Sequence, residues 1–107
     1  MTEAEFVHNL AGADQLRRTA TPFEAGYWTG YTRGLRRFFH GENFGTTDEH
    51  AAWLDHRDAR GTGYLDGYHG LSVKEAIREC ELREEHAEWE RDHPDFVRGV
   101  LDAQEES

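Results

Sequence analysis

Gly26-Tyr27-Trp28-Thr29-Gly30-Tyr31-Thr32-Arg33-Gly34-Leu35 returns 37 residues later as Gly63-Tyr64-Leu65-Asp66-Gly67-Tyr68-His69-Gly70-Leu71, one residue shorter. Six positions agree: Gly, Tyr, Gly, Tyr, Gly and Leu. A glycine inside a helix costs about 1 kcal/mol against alanine, so repeated glycines need an offsetting gain in packing. Spacing by four places Gly26, Gly30 and Gly34 in one stripe, with Tyr27, Tyr31 and Leu35 in the stripe beside it. A flat glycine stripe lets a second helix come closer than the usual ~8–10 Å between axes. The two copies are therefore expected to pack on each other, related by a rough two-fold.

Helix signals continue outward from this repeat. Thr21-Pro22-Phe23-Glu24 joins an N-cap, a proline at the first helical position and a capping-box glutamate, and Gly41 is a terminator, so a helix over 22–40 is predicted. Its apolar arc, with Phe23, Tyr27, Tyr31, Leu35 and Phe38 at the centre and Trp28 and Phe39 at one edge, is wider than a surface helix needs. That makes it the central helix. Thr2 with Glu5 opens a short helix expected to close near Gly12. Thr46 with Glu49 opens another, expected to break or kink at Gly61-Thr62-Gly63 and to resume through Tyr64 to Leu71. Ser72 with Glu75 opens a helix to about Arg91. His93-Pro94 ends that one and begins a last short helix with Phe96, Val97, Val100 and Leu101. Val and Ile total only five, and no stretch alternates as a strand would. The expected fold is all-α: a single domain over 1–107, a bundle of five or six helices around a Gly/Tyr-rich one.

Composition bounds the function. The chain has 107 residues, 22 acidic and 12 basic, for a net charge of −10. Leu, Ile, Val and Phe number 19, a composition that leans towards disorder at this charge. Thirteen aromatic residues compensate, because each buries roughly 150–250 Å². No apolar run approaches a membrane span and no signal-peptide pattern opens the chain, so a cytoplasmic protein without a membrane role is expected. The lone Cys80 excludes an internal disulfide and a multi-thiolate site. It shares a stripe with Val73, Ala76, Ile77 and Ala87 and reads as a buried small hydrophobe. Direct nucleic-acid binding is disfavoured, since phosphate contacts need a basic surface.

The charge is uneven. Residues 72–107 hold twelve acidic and five basic side chains, whereas residues 15–47 hold five arginines against Glu24 and Glu42. Two readings follow: the acidic third faces the chain's own arginines, or it meets a basic partner. An acidic, lysine-poor chain also fits a saline environment. On the helix after Ser72, Leu82 and Trp89 lie seven apart, flanked by His86 and ringed by Glu81, Glu85 and Glu88. An aromatic anchor with an acidic rim suits a basic protein partner. The alternative is that the last helix folds back over Leu82 and Trp89.

Chemistry-bearing motifs are sparse. Glu5-x-x-His8 and Glu90-x-x-His93 have di-iron-like spacing, but Glu5 and His8 lie opposite Phe6, Val7 and Leu10, so no metal site or cofactor is expected. His56-Arg57-Asp58 reads as a chance triplet, Cys80 has no neighbouring base, and no catalytic residues are assigned. The leading expectation is a non-enzymatic binding protein, monomeric or homodimeric. It would occupy a basic nucleic-acid-binding surface of a partner protein, as phage anti-defence and anti-CRISPR inhibitors do as a class.

The segments Gly26-Tyr27-Trp28-Thr29-Gly30 and Tyr64-Leu65-Asp66-Gly67-Tyr68 resemble those of the ribosome modulation factor family over about residues 23–71. The resemblance implies association with ribosomal RNA and proteins. The chain departs from that family in its acidity, its longer intervening segment and its lack of a Cys-Pro-Tyr between the halves. On this alternative the RNA-binding residues would be Arg17, Arg18, Arg33, Arg36 and Arg37.

Overall fold

A computed structural model describes residues 1–92; the expected break at His93-Pro94, the expected last helix and the Phe23 side chain lie outside the described residues. The architecture is all-α: α1 (Glu3–Thr19), α2 (Pro22–His40), a 3-10 turn (Gly41–Asn43), α3 (Thr47–Leu54), α4 (Ala59–Tyr68) and α5 (Val73–Asp92). No described helix is long and apolar enough to cross a membrane. The chain divides into two units, Met1–Ala76 and Ile77–Ser107.

Local chemistry sets most boundaries. Thr21 and Glu24 form a complete capping box, Pro22 follows at the first position, and Gly41 ends α2 with φ +62°. Thr46 and Glu49 form a second capping box at α3. The Ser72 hydroxyl accepts from the Glu75 amide at 3.1 Å at the start of α5. Gly70, with φ +77°, ends α4 in a Schellman arrangement: its amide donates to the Gly67 carbonyl, and the Leu71 amide to that of Asp66.

Two expected boundaries are corrected. α1 does not close at Gly12 but runs on to Thr19, because Gly12 lies inside the helix against Val73. The chain breaks before Gly61-Thr62-Gly63, not at it. Asp58 caps α4, accepting from the amides of Arg60 and Gly61 at 3.1 and 3.4 Å. The glycines of α4 are then spent on packing.

α2 packs most extensively against α4, with its other flank on α1. A β-carbon built on Gly30 would lie 2.0 Å from the Arg60 carbonyl oxygen, and one on Gly34 2.0 Å from that of Tyr64. In return, β-carbons on Gly63 and Gly67 would lie 2.0 and 2.2 Å from the carbonyl oxygens of Tyr27 and Tyr31. Glycine Cα groups thus sit directly against the opposite backbone. Residue numbers rise together across the contact, so α2 and α4 run parallel. Facing residues are about 33 apart in sequence while the copies are 37 apart, a slip of roughly one helical turn. The copies do pack on each other, but staggered along the axis and not by a pure two-fold. Parallel neighbours need a return connection, which the 3-10 turn, α3 and the loop to Asp58 provide.

The core of the first unit is aromatic. Tyr27, Trp28, Tyr31, Leu35 and Tyr64 are buried, and Trp28 meets Tyr27 and Tyr31 edge-to-face at 4.9 and 5.3 Å. Phe6 of α1 is buried and stacks on Phe39 at 4.2 Å. Phe38, expected at the centre of the apolar arc, is 42% exposed, because it lies at the edge where α4 has already ended and packs on Gly70.

Buried polar groups are satisfied. The Tyr27 hydroxyl donates to Asp66 at 2.6 Å and the Tyr31 hydroxyl to the Leu71 carbonyl at 2.7 Å. Buried Asn9 donates to the Glu5 carbonyl at 2.8 Å and accepts from the Val73 amide at 2.9 Å, so α1 caps the first amide of α5.

Candidate functional site

The residues expected to bind a partner all lie on α5. Glu81, Leu82, Glu85, His86, Glu88 and Trp89 are each exposed, Leu82 and Trp89 at 40%. From Ile77 to Trp89 every side chain is exposed except Cys80, which is half-buried. That corrects the expected buried stripe: Ala76 is buried, but Ile77 and Ala87 are exposed. In the first turn of α5, Val73 meets Gly12 and Asn9. Arg78 bridges Glu81 at 3.4 Å and Glu85 at 4.0 Å. Glu81, Glu84, Glu85 and Glu88 follow the i, i+3, i+4, i+7 pattern and form one face. Residues 77–92 carry seven acidic and three basic side chains. Such a face offers an array of carboxylates at helical spacing.

The five arginines of the alternative do not form one patch. Arg17 and Arg18 end α1, just before the turn into α2, and Arg17 pairs with Asp14 at 3.4 Å. Arg33, Arg36 and Arg37 lie along the second half of α2, Arg37 roughly 22 Å from that helix's start. Arg33 and Arg37 are one turn apart on the flank facing α3. The Arg33 guanidinium sits 5.3 Å over the Trp53 ring, and Arg37 donates to the Phe44 carbonyl at 2.9 Å.

Around these two arginines lies a cluster that sequence reasoning missed. Trp53 of α3 stacks on Tyr64 of α4 at 5.5 Å, and Tyr64 stacks on Tyr68 at 6.3 Å. His50, one turn before Trp53, reaches the Tyr64 hydroxyl with Nδ1 at 2.5 Å and packs on the Tyr68 ring at 4.7 Å. Burial, with the Arg37 charge, holds His50 below the ordinary histidine value. Burial pushes the Tyr64 phenol up, Arg37 partly opposes this, and Tyr68 adds to the rise. Both groups are therefore neutral at neutral pH. The open cleft here, lined by Arg33, Phe44, Glu49, His50, Trp53 and Tyr64, encloses only about 10 Å³, far below the ~300–1,000 Å³ of small-molecule pockets. No local motif announces the cluster, since His50 and Tyr64 are 14 residues apart on different helices.

Glu5 and His8 are exposed, and the Glu90 side chain and His93 lie outside the described residues. Among the described residues, no three side chains capable of holding a metal ion converge. His56-Arg57-Asp58 has a structural role: Asp58 caps α4, and His56 lies 3.7 Å from its carboxylate. No family model matches the chain, nor does any curated protein or solved structure.

Proposed function

We propose that this chain is a non-enzymatic binding protein that presents an acidic helical face to a basic surface on a protein partner. One observation carries the proposal. From Ile77 to Trp89 every side chain of α5 but Cys80 is exposed, its glutamates included, and Glu79, Glu84 and Glu88 have no ion-pair partner among the described residues. Carboxylates held at fixed helical spacing speed encounter with a basic surface and select against acidic ones. Leu82 and Trp89 add apolar area on the same helix. Basic surfaces commonly hold nucleic acid, so the concrete form of the proposal is an inhibitor that displaces DNA or RNA from its partner, in the manner of phage anti-defence proteins, anti-CRISPR proteins among them.

The test compares the wild-type chain with the Glu81→Lys/Glu85→Lys/Glu88→Lys variant in affinity capture and in competition with duplex DNA for the captured protein. The proposal expects a basic nucleic-acid-binding protein whose DNA is displaced by the wild type and not by the variant. Equal capture and equal displacement by both would overturn it.

A second reading, ribosome or RNA association, draws support from Arg33 lying over Trp53 with Arg37 one turn on. It expects co-sedimentation with ribosomes at moderate salt, lost on Arg33→Glu/Arg37→Glu.

A further inference from the structure

α3 is held to the rest of the first unit by very little. None of its eight residues is buried. Its inward contacts are two side chains one turn apart: Trp53, between Arg33 and Tyr64, and His50, against Tyr64 and Tyr68. Tyr64 is almost fully buried, with 2% exposure, and Trp53 and His50 of α3 pack on it. Its hydroxyl meets His50 Nδ1 inside the fold, and donates to it in the tautomer whose Nδ1 carries no proton. A neutral imidazole accepts this proton; an imidazolium cannot.

We propose that His50 is an acid-operated latch: its protonation releases α3 from the α2–α4 pair, parts Trp53 from Tyr64 and uncovers the Tyr64 and Tyr68 rings.

The charges facing His50 favour opening. α2 presents Arg37, and Arg33 lines the same cleft. α4 presents the Tyr64 hydroxyl and the Tyr68 ring, and no carboxylate. The one carboxylate lining the cleft, Glu49, is engaged through Oε2 with the Thr46 amide in the capping box of α3 itself. A cationic His50 would thus meet cationic α2, and with Nδ1 now a donor the buried Tyr64 hydroxyl proton would lose its acceptor. Burial and Arg37 already make the folded imidazole a weaker base than the free one. The latch is therefore fully closed above the ordinary histidine value near 6.5 and weakens as pH falls below it.

The experiment is hydrogen exchange on the full chain at pH 7.5 and 5.0, with protection factors corrected for intrinsic rates, for the wild type, His50→Gln and His56→Gln. Glutamine keeps an acceptor for Tyr64 and does not titrate. In the wild type and in His56→Gln, protection of the α3 amides falls severalfold at pH 5.0 while that of α2 and α4 holds. In His50→Gln the α3 protection is the same at both values. Unchanged α3 protection in the wild type, or an equal fall in His50→Gln, would overturn the proposal. Loss of protection across α2 and α4 together with α3 would also overturn it, since that is global acid unfolding.

Discussion

Replacing Gly30 by alanine adds a methyl group whose carbon would start 2.0 Å from the Arg60 carbonyl oxygen and 2.9 Å from the Tyr64 amide nitrogen. Both are backbone atoms of α4 and cannot swing aside. Ordinary contact between such atoms is roughly 3.5 Å, so the helices must separate by about 1.5 Å at this level. A gap of 0.5–1 Å already forfeits a quarter to a half of the dispersion attraction, and here Tyr27, Tyr31, Leu35 and Tyr64 share the loss. Overpacking of this kind costs about 3 kcal/mol, and alanine's better helix propensity returns about 1 kcal/mol. The net loss is about 2 kcal/mol, or a fall in Tm of roughly 8–16 °C for a folded unit of this size. Gly26→Ala is the matched control. Its β-carbon would meet the flexible Arg60 side chain at 3.5 Å, an ordinary contact, so it is expected to be neutral or to stabilise by up to about 1 kcal/mol. Urea unfolding followed by far-UV circular dichroism measures both. The pair Gly30→Ala/Gly34→Ala should cost less than the sum of its singles, because the first substitution already parts the helices. An unchanged or raised midpoint for Gly30→Ala would refute the carbonyl-on-glycine contact as the basis of the fold.

Three further outcomes follow from the buried polar groups. Tyr27→Phe removes the 2.6 Å donor to Asp66 and should cost about 1.5–3 kcal/mol in the same unfolding assay. Asn9→Ala leaves the first amide of α5 without its acceptor and should cost about 1–2 kcal/mol, as loss of a helix cap does. Burial, then the charges of Glu75 and Asp66, push the Tyr31 phenol far above its ordinary value. Folded Tyr31 keeps its proton where the unfolded chain loses it, so stability falls as pH rises above about 10. Absorbance at 295 nm should show fewer tyrosines titrating before unfolding than the four in the sequence, with Tyr31 and Tyr64 held back.

Much of the fold was legible because its signals are local. Thr21-Pro22-Phe23-Glu24 and Gly41 bound α2 where the structure has it, and Thr46 with Glu49 and Ser72 with Glu75 do the same for the starts of α3 and α5. The glycine repeat also predicted its own packing. The errors arise where one residue type serves two ends. Gly12 and the Gly61–Gly63 pair looked like stops, yet each lies in a helix pressed against a neighbour. Asp58, the true start signal of α4, was hidden in a triplet that looked accidental. The His50–Tyr64 bond and the Arg33–Trp53 contact depend on how α3 returns beside α2 and α4, which no short window encodes. Of the proposed partner-binding residues, the helical spacing of Glu81, Glu85 and Glu88 was legible, and the structure adds their exposure.

The most direct test of the acidic face is the dissociation constant of the captured partner measured from 50 to 500 mM NaCl, for the wild type, for Glu81→Lys/Glu85→Lys/Glu88→Lys and for Arg33→Glu/Arg37→Glu. The wild type and the arginine variant should weaken steeply and in parallel as salt rises, and the lysine variant should not bind at the lowest salt. Affinity indifferent to salt and to the lysine substitutions, or lost only in the arginine variant, would contradict the acidic face as the binding surface.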